Sequence, residues 1–283
     1  MGNKIIMILA DGMRPDFVMS SKNPYIKAFL SDSAYTMAAQ TVMPSVTLPC
    51  HTSLFLSVPS ERHGILTNTW VPQVRPVKGL VEVLSEAGKS CAFVYDWEPL
   101  RDLTRPESLS FAYHAGGHAI GFDNTLPRMI AHAREMLKTE GPDFMFVYMG
   151  LPDSKGHDYG FTTEQYAEAV SLVWDGIRSI TEAAEAAATA EATAASAGTE
   201  AAVGEKTAPV EYGVIVLADH GGHERSHGEN IPEDMTIPVI LHGRMFQNAD
   251  LSAGVSILDI APTIAEAMGV KPDAEWEGNS LYR

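Results

Sequence analysis

Four short clusters in this 283-residue chain carry side chains able to do chemistry: Asp11-Gly12, Thr47-Leu-Pro-Cys-His51, Asp153-Ser-Lys-Gly-His157, and Asp219-His220-Gly-Gly-His223 followed by His227-Gly228. The spacing of four between Asp153 and His157 puts a carboxylate and an imidazole on one side of a single helical turn, where both can hold one ion. Asp219 and His220 follow directly on the apolar run Val214 to Ala218, and their Gly neighbours leave room for a metal. Thr47 has two readings. It is a favoured residue type for the N-cap of a helical run such as His51 to Leu56, and a hydroxyl at a helix N-terminus also suits a phosphate oxygen. Asp-Gly alone is a common turn, and a lone His is more often structural than a ligand; the weight comes from their coincidence. Carboxylates and imidazoles together make an oxygen and nitrogen donor set suited to Zn²⁺, with Mn²⁺ admitted by the same ligand types.

Residues so far apart in sequence need elements to bring them together. The apolar runs Ile5 to Ala10, Ser90 to Tyr95, Phe144 to Met149 and Tyr212 to Ala218 read as buried parallel strands, each ending at or near an Asp: Asp11, Asp96, Asp153 and Asp219. Helical patterns lie between them at Val77 to Ala87, Leu126 to Lys138 and Thr163 to Ala184, and a further one runs from Ser256 to Met268 with Pro262 inside it. Alternating strands and helices predict an α/β fold with a mostly parallel central sheet and helices on both faces. Ligands of such sheets collect at the carboxyl ends of the strands, where the three aspartates would meet. One domain over 1–283 is expected, interrupted at about 181–209 by a stretch rich in Ala, Glu and Thr. The first part of that stretch can prolong the preceding helix, and Ser196 to Pro209 is expected to be mobile.

The formal net charge of −16 excludes nucleic-acid polymers and anionic membranes as natural partners. An anionic substrate would need local positive charge, which no Lys/Arg stripe supplies, so metal is the expected source. Two divalent ions bring four positive charges against three carboxylates. Cys50 and Cys91 are too few for a disulfide framework, and the start of the chain reads as a strand rather than a cleaved signal. No apolar run approaches the roughly 20 residues that span a bilayer. A cytoplasmic setting and a small phosphate-ester partner are the expectations.

The motifs ILADGMRPD from Ile8, MPSVTLPCHTSLFLSVPSERHGILTN from Met43, LPDSKGHDYG from Leu151, LADHGGHERSHG from Leu217 and the terminal SILDIAPTIAEAMG form an ordered set. As a set they resemble the alkaline phosphatase superfamily, most closely its nucleotide pyrophosphatase/phosphodiesterase-like branch. The resemblance implies that Asp153, His157 and His227 bind one metal and that Asp11, Asp219 and His220 bind the other. It further implies that Thr47 touches the second ion as the nucleophile, forming a phospho-threonine intermediate, and that the Asn68 amide holds a phosphate oxygen. His223 competes with His227 for the third place on the first ion, and His51 is read as structural. The branch usually has Asn where this chain has Cys50, and the region Trp97 to Asn124 is short beside the caps of related enzymes. The expected activity is hydrolysis of phosphodiester or pyrophosphate bonds. A phosphomonoesterase or phosphonate hydrolase on the same scaffold is the alternative, and a metal-stabilised binding protein without turnover is a more distant one. A sulfatase is disfavoured because Thr47 occupies the nucleophile position and Cys50 lacks the pattern for modification to an aldehyde hydrate.

Overall fold

Seven strands form one sheet: β1 (Lys4–Ala10), β2 (Ser33–Gln40), β3 (Cys91–Tyr95), β4 (Phe111–His114), β5 (Phe144–Met149), β6 (Tyr212–Leu217) and β7 (Thr236–His242), in the order β2-β7-β6-β1-β5-β3-β4. The structure is a computed structural model and describes residues 3–198 and 211–283. Strands β1, β3, β5 and β6 are almost wholly buried on both faces, which is why their sequences are continuous apolar runs rather than alternating ones. The pairs β1 with β5, β1 with β6, β3 with β5 and β3 with β4 are parallel; β7 runs antiparallel to both β6 and β2. Since only β7 is reversed, β1, β2, β3, β4, β5 and β6 all deliver their carboxyl ends to the same edge.

That edge assembles the chemistry. Asp11 follows β1, Asp96 follows β3, Asp219 stands two residues beyond β6, and the helix Leu151–Tyr159 starts two residues beyond β5 with Asp153 in its first turn. The connection after β2 leads to the helix Thr47–Leu56, all ten residues of which are buried. The sheet is covered by that helix and by Phe122–Thr139, Glu164–Gly198 and Ile260–Ala267. The helix Glu164–Gly198 does take in the start of the Ala/Glu/Thr-rich stretch. The mobility expected for Ser196 to Pro209 falls mainly on residues 199–210, outside the described residues.

Two readings are corrected. Thr47 is the first helical residue rather than the cap: the cap position is Val46, whose side chain makes no cap bond. The Ser256 to Met268 pattern divides into a 3-10 turn at Ile257–Asp259 and the helix Ile260–Ala267, with Ser256 and Asp259 forming a reciprocal capping box at the entry. Strands β2, β4 and β7 carry no uninterrupted apolar run, β2 and β4 because they are edge strands and β7 because Pro238 divides it.

Phe161, fully buried, ties the edge together. A Cβ added to Gly12, Gly156 or Gly222 would stand 3.1, 2.4 or 2.6 Å from its ring, so the turn that carries Asp11, the helix that carries Asp153 and His157 and the loop that carries Asp219 and His220 all close on one side chain. Truncating a well-packed Phe costs about 3–5 kcal/mol. Phe161→Ala should therefore destabilise the fold by about that amount in urea or thermal unfolding; a loss below about 1 kcal/mol would show that the three segments hold together without the ring.

Candidate active site

Each proposed ligand reaches the edge from its own element. Asp11 closes the turn after β1, with its N–H donating to the Met149 carbonyl of β5 at 3.1 Å. Asp153 and His157 sit one turn apart on the Leu151–Tyr159 helix, their Oδ2 and Nε2 atoms 3.4 Å apart. His227 Nε2 approaches His157 Nε2 at 3.2 Å and Asp153 Oδ1 at 3.7 Å. His220 Nε2 lies 3.3 Å from Asp11 Oδ1, from Asp219 Oδ2 and from the Thr47 hydroxyl. The rings of His220 and His227 stack with centroids 3.8 Å apart, so the two halves of the cluster abut. Donor atoms fall into two groups that could hold an ion: Asp153, His157 and His227, and Asp11, Asp153 and His220. Asp153 thus belongs to both groups, whereas the sequence reading gave it to one; Asp219, which that reading placed in the second group, is in neither, though its Oδ2 lies 3.3 Å from His220 Nε2.

The donor set fits divalent metal on three grounds. Asp11 Oδ1, Asp153 Oδ1 and Asp219 Oδ2 are buried without a hydrogen-bond partner, an expensive arrangement unless a cation completes it. The Nδ1 atoms of His157, His220 and His227 face the carbonyls of Arg225, Gly221 and Ser45 at 2.9, 2.8 and 2.9 Å, so as N–H donors they leave each Nε2 lone pair turned inward. Charge is the third. Burial, then Asp219 and Asp153, pushes Asp11 well above the usual carboxylate range, and burial likewise raises Asp219. Burial, then His220, depresses His227 to about 4, and burial also lowers His220, so both imidazoles stay neutral and able to ligate.

Of His223 and His227, only His227 groups with Asp153 and His157. His223 Nδ1 meets the buried Asp234 at 2.8 Å, and Asp234 is fixed in turn by the Glu229 N–H at 2.9 Å. His223 therefore faces away from the cluster while His227 joins it. His51 is fully buried, with Nδ1 on the Thr47 carbonyl at 2.8 Å and 3.4 Å from Asp219 Oδ2, so it lies directly behind the cluster rather than remote from it. Asn68 Oδ1 accepts the Leu48 N–H at 2.9 Å, which leaves its amide N–H₂ for the cavity beside Thr47. Cys50 is fully buried beside the Thr41 hydroxyl, and burial pushes its thiol upward, which makes it an unreactive packing residue.

The cavity in front of Thr47 has a volume of about 430 Å³. Its far wall comes from Trp97, His118, Phe122 and Asp123, within the short region after β3, and no Lys or Arg lines it among the described residues. Two contributors have no clear local signal in the sequence. Tyr148 belongs to the apolar run of β5, yet its hydroxyl donates to Asp11 Oδ2. Asp96 was visible only as one more strand-ending Asp; its carboxylate accepts Thr125 Oγ1 at 2.7 Å and the Gly150 N–H at 3.1 Å, and its carbonyl accepts the Gly117 N–H at 2.8 Å. Asp96 so joins the cavity wall to the start of the helix that carries Asp153.

A family model described as type I phosphodiesterase / nucleotide pyrophosphatase matches residues 5–237. Among curated proteins, the chain is 23% identical over 293 residues to human GPI ethanolamine phosphate transferase 2, catalytic subunit, covering 99% of this chain and 28% of that protein. It is 21% identical over 178 residues to a human bis(5'-adenosyl)-triphosphatase, covering 56% of this chain and 38% of that protein. The chain thus spans well under half the length of these relatives. In three dimensions it is similar to murine ectonucleotide pyrophosphatase / phosphodiesterase 5 in complex with AMP, with a TM-score of 0.72 at 13% identity over 99% of this chain and 100% of that one. A 2-O GAG sulfatase gives a TM-score of 0.69 at 13% identity over 99% of this chain and 73% of that one. The fold is therefore alkaline phosphatase-like. No helix among the described residues is long and apolar enough to cross a membrane.

Asp96 gives this wall a pH signature. Burial raises it to about 7, whereas in the unfolded chain it titrates at about 3.9. Between those values the folded state holds the extra proton, so its contribution to stability is full at low pH and is lost as pH rises through about 7. Asp96→Asn should flatten the fall in melting temperature between about pH 5 and about pH 8 relative to the parent protein. An unchanged slope would mean that Asp96 is ionised throughout.

Proposed function

The chain belongs to the type I phosphodiesterase / nucleotide pyrophosphatase family, and from that premise we propose that it is a two-metal hydrolase of phosphate esters, cleaving phosphodiester or pyrophosphate bonds through a covalent intermediate on Thr47. The observation that carries the proposal is the meeting of the Thr47 hydroxyl with Asp11, Asp153, His157 and His227 at one cavity, with His220 Nε2 3.3 Å behind that hydroxyl and Asp219 Oδ2 3.3 Å from the same nitrogen. Asp153, His157 and His227 would hold one ion, and Asp11, Asp219 and His220 the other, with Thr47 touching the second. Zn²⁺ suits this donor set, and Mn²⁺ is admitted. When bound, such ions supply the positive charge that lowers the pKa of an attacking hydroxyl and neutralises charge on the phosphate oxygens.

The protein's own residues account for the remaining steps. Thr47 Oγ1 attacks phosphorus in line with the scissile bond; that bond breaks, the leaving oxygen gains a proton, and the phosphoryl group remains esterified to Thr47. Water then attacks the same phosphorus, and Oγ1 recovers its proton as the second bond breaks. The helix beginning at Thr47 turns its positive dipole end towards the phosphate. Asn68, tethered to the Leu48 N–H, offers one amide donor to a non-bridging oxygen.

Substrate preference follows from what lines the cavity. A dianionic monoester is well matched by an Arg fork that pairs two free oxygens, and no Lys or Arg lines this cavity among the described residues. A diester or pyrophosphate has fewer free oxygens at the attacked phosphorus, and a single amide donor suits it. This favours the diesterase reading over the phosphomonoesterase alternative on the same scaffold.

Since the Thr47 side chain makes no cap bond, its removal should cost little stability. Thr47→Ala is expected to abolish turnover with the melting temperature nearly unchanged, while Thr47→Ser keeps part of the activity because the hydroxyl survives; a turnover rate for the Ala variant close to that of the parent would remove covalent catalysis. The second expectation concerns kcat/KM for matched aryl diesters and monoesters. Diesters should lead on the parent protein, and Asn68→Ala should lower the diester value by about 10²-fold if the amide acts as an oxyanion donor. Asn68→Asp, which keeps the acceptor for Leu48 but loses the donor, should fall likewise, and a clear lead for monoesters on the parent would overturn the preference.

A further inference from the structure

Tyr148 stands at the end of β5 beside β1, where Leu9 is its register partner and the Asp11 N–H bonds to the next carbonyl, that of Met149. Its side chain is 2% exposed, and its hydroxyl donates to Asp11 Oδ2. The other oxygen of that carboxylate, Oδ1, has no hydrogen-bond partner and faces His220 Nε2 at 3.3 Å. One oxygen is thus engaged by the hydroxyl, and the other is left turned to the cluster. A carboxylate with two free oxygens can rotate, bind through either or chelate through both; one held by a donor presents a single atom in a fixed direction.

The ring that carries the hydroxyl is itself fixed. His51 packs edge-on against it with centroids 5.3 Å apart, and His51 is held by the Thr47 carbonyl at 2.8 Å. Asp219, the second carboxylate beside His220, has its own restraint: Oδ1 accepts the Gly12 N–H at 3.2 Å, while Oδ2 has no partner. Asp11 and Asp219, on the inner side of the cluster, therefore repeat one pattern, with one oxygen of each held from behind and one free in front. The outer group differs, because His157 is 44% exposed and its ring is backed by a carbonyl on a surface loop.

Resting on the two-metal reading above, we propose that Tyr148 is a positioning residue for the inner metal group, fixing Asp11 so that Oδ1 alone ligates, and that it acts on the inner ion without acting on the outer one. Groups that orient a metal ligand from behind typically contribute about 10- to 100-fold in metal affinity. The expected effect of Tyr148→Phe is a loss of that size for one ion and no change for the other.

The test uses full-length protein, stripped of metal and titrated with Zn²⁺ against a chromophoric chelator. The parent should bind two ions per chain; Tyr148→Phe should bind one with unchanged affinity and the second about 10- to 100-fold more weakly. In the Asp11→Ala background, Tyr148→Phe should have no further effect on the ion that remains. Equal weakening of both ions, or no weakening of either in a folded variant, would overturn the positioning role. A parent protein that binds no Zn²⁺ would instead sink the two-metal reading. A crystal structure of the Zn²⁺-loaded parent decides the point independently of the variant: the Tyr148 hydroxyl should remain on Asp11 Oδ2 with the ion on Oδ1, and an ion on Oδ2 with the hydroxyl displaced would contradict it.

Discussion

Three carboxylates forced out of water within a few ångströms of one another dominate this molecule. Asp11, Asp153 and Asp219 each keep one oxygen buried and unpartnered, and like charges in a desolvated setting repel strongly. Asp153 is paired with His157, whose imidazole it raises to about 9, but Asp11 and Asp219 have no such partner, since burial holds His220 and His227 neutral and no Lys or Arg lines the cavity among the described residues. Such a cluster is suited to positive charge that enters from outside. The acidity of the whole chain reinforces this, because a net charge of −16 offers an anionic ester no general attraction.

Holding these groups in place occupies much of the fold. Parallel strands bring six carboxyl ends to one edge, and only β7 runs against them. Behind each inward-facing atom stands a fixed partner: carbonyls of Arg225, Gly221 and Ser45 for the three imidazoles, the Gly12 N–H for Asp219 and the Tyr148 hydroxyl for Asp11. Glycines at 12, 156 and 222 let two loops and the Leu151–Tyr159 helix approach the Phe161 ring more closely than any side chain would allow.

Much of this was legible in the sequence, and the parts that were not have a common physical reason. The continuous apolar runs of β1, β3, β5 and β6 mark buried parallel strands, and the aspartates at their ends mark the ligand edge. Asp153 and His157 carry their geometry in their spacing, because a helix repeats locally. Edge strands β2 and β4 lack such a run, being half exposed. Tyr148 looks like any core aromatic until the strand register sets it beside Asp11, and the choice of His227 over His223 depends on Asp234, which meets His223 only through tertiary folding. The double membership of Asp153 is of the same kind, a matter of distances between elements that no local pattern encodes.

The central claim is that phosphorus is attacked first by Thr47 and only then by water. Each in-line displacement inverts the configuration at phosphorus, so two in succession retain it and one alone inverts it. Hydrolysis of a chiral phosphorothioate diester in oxygen-18 water, with the configuration of the product assigned, reads this directly. The account predicts net retention; net inversion would mean that water attacks the substrate itself and that Thr47 forms no bond to phosphorus.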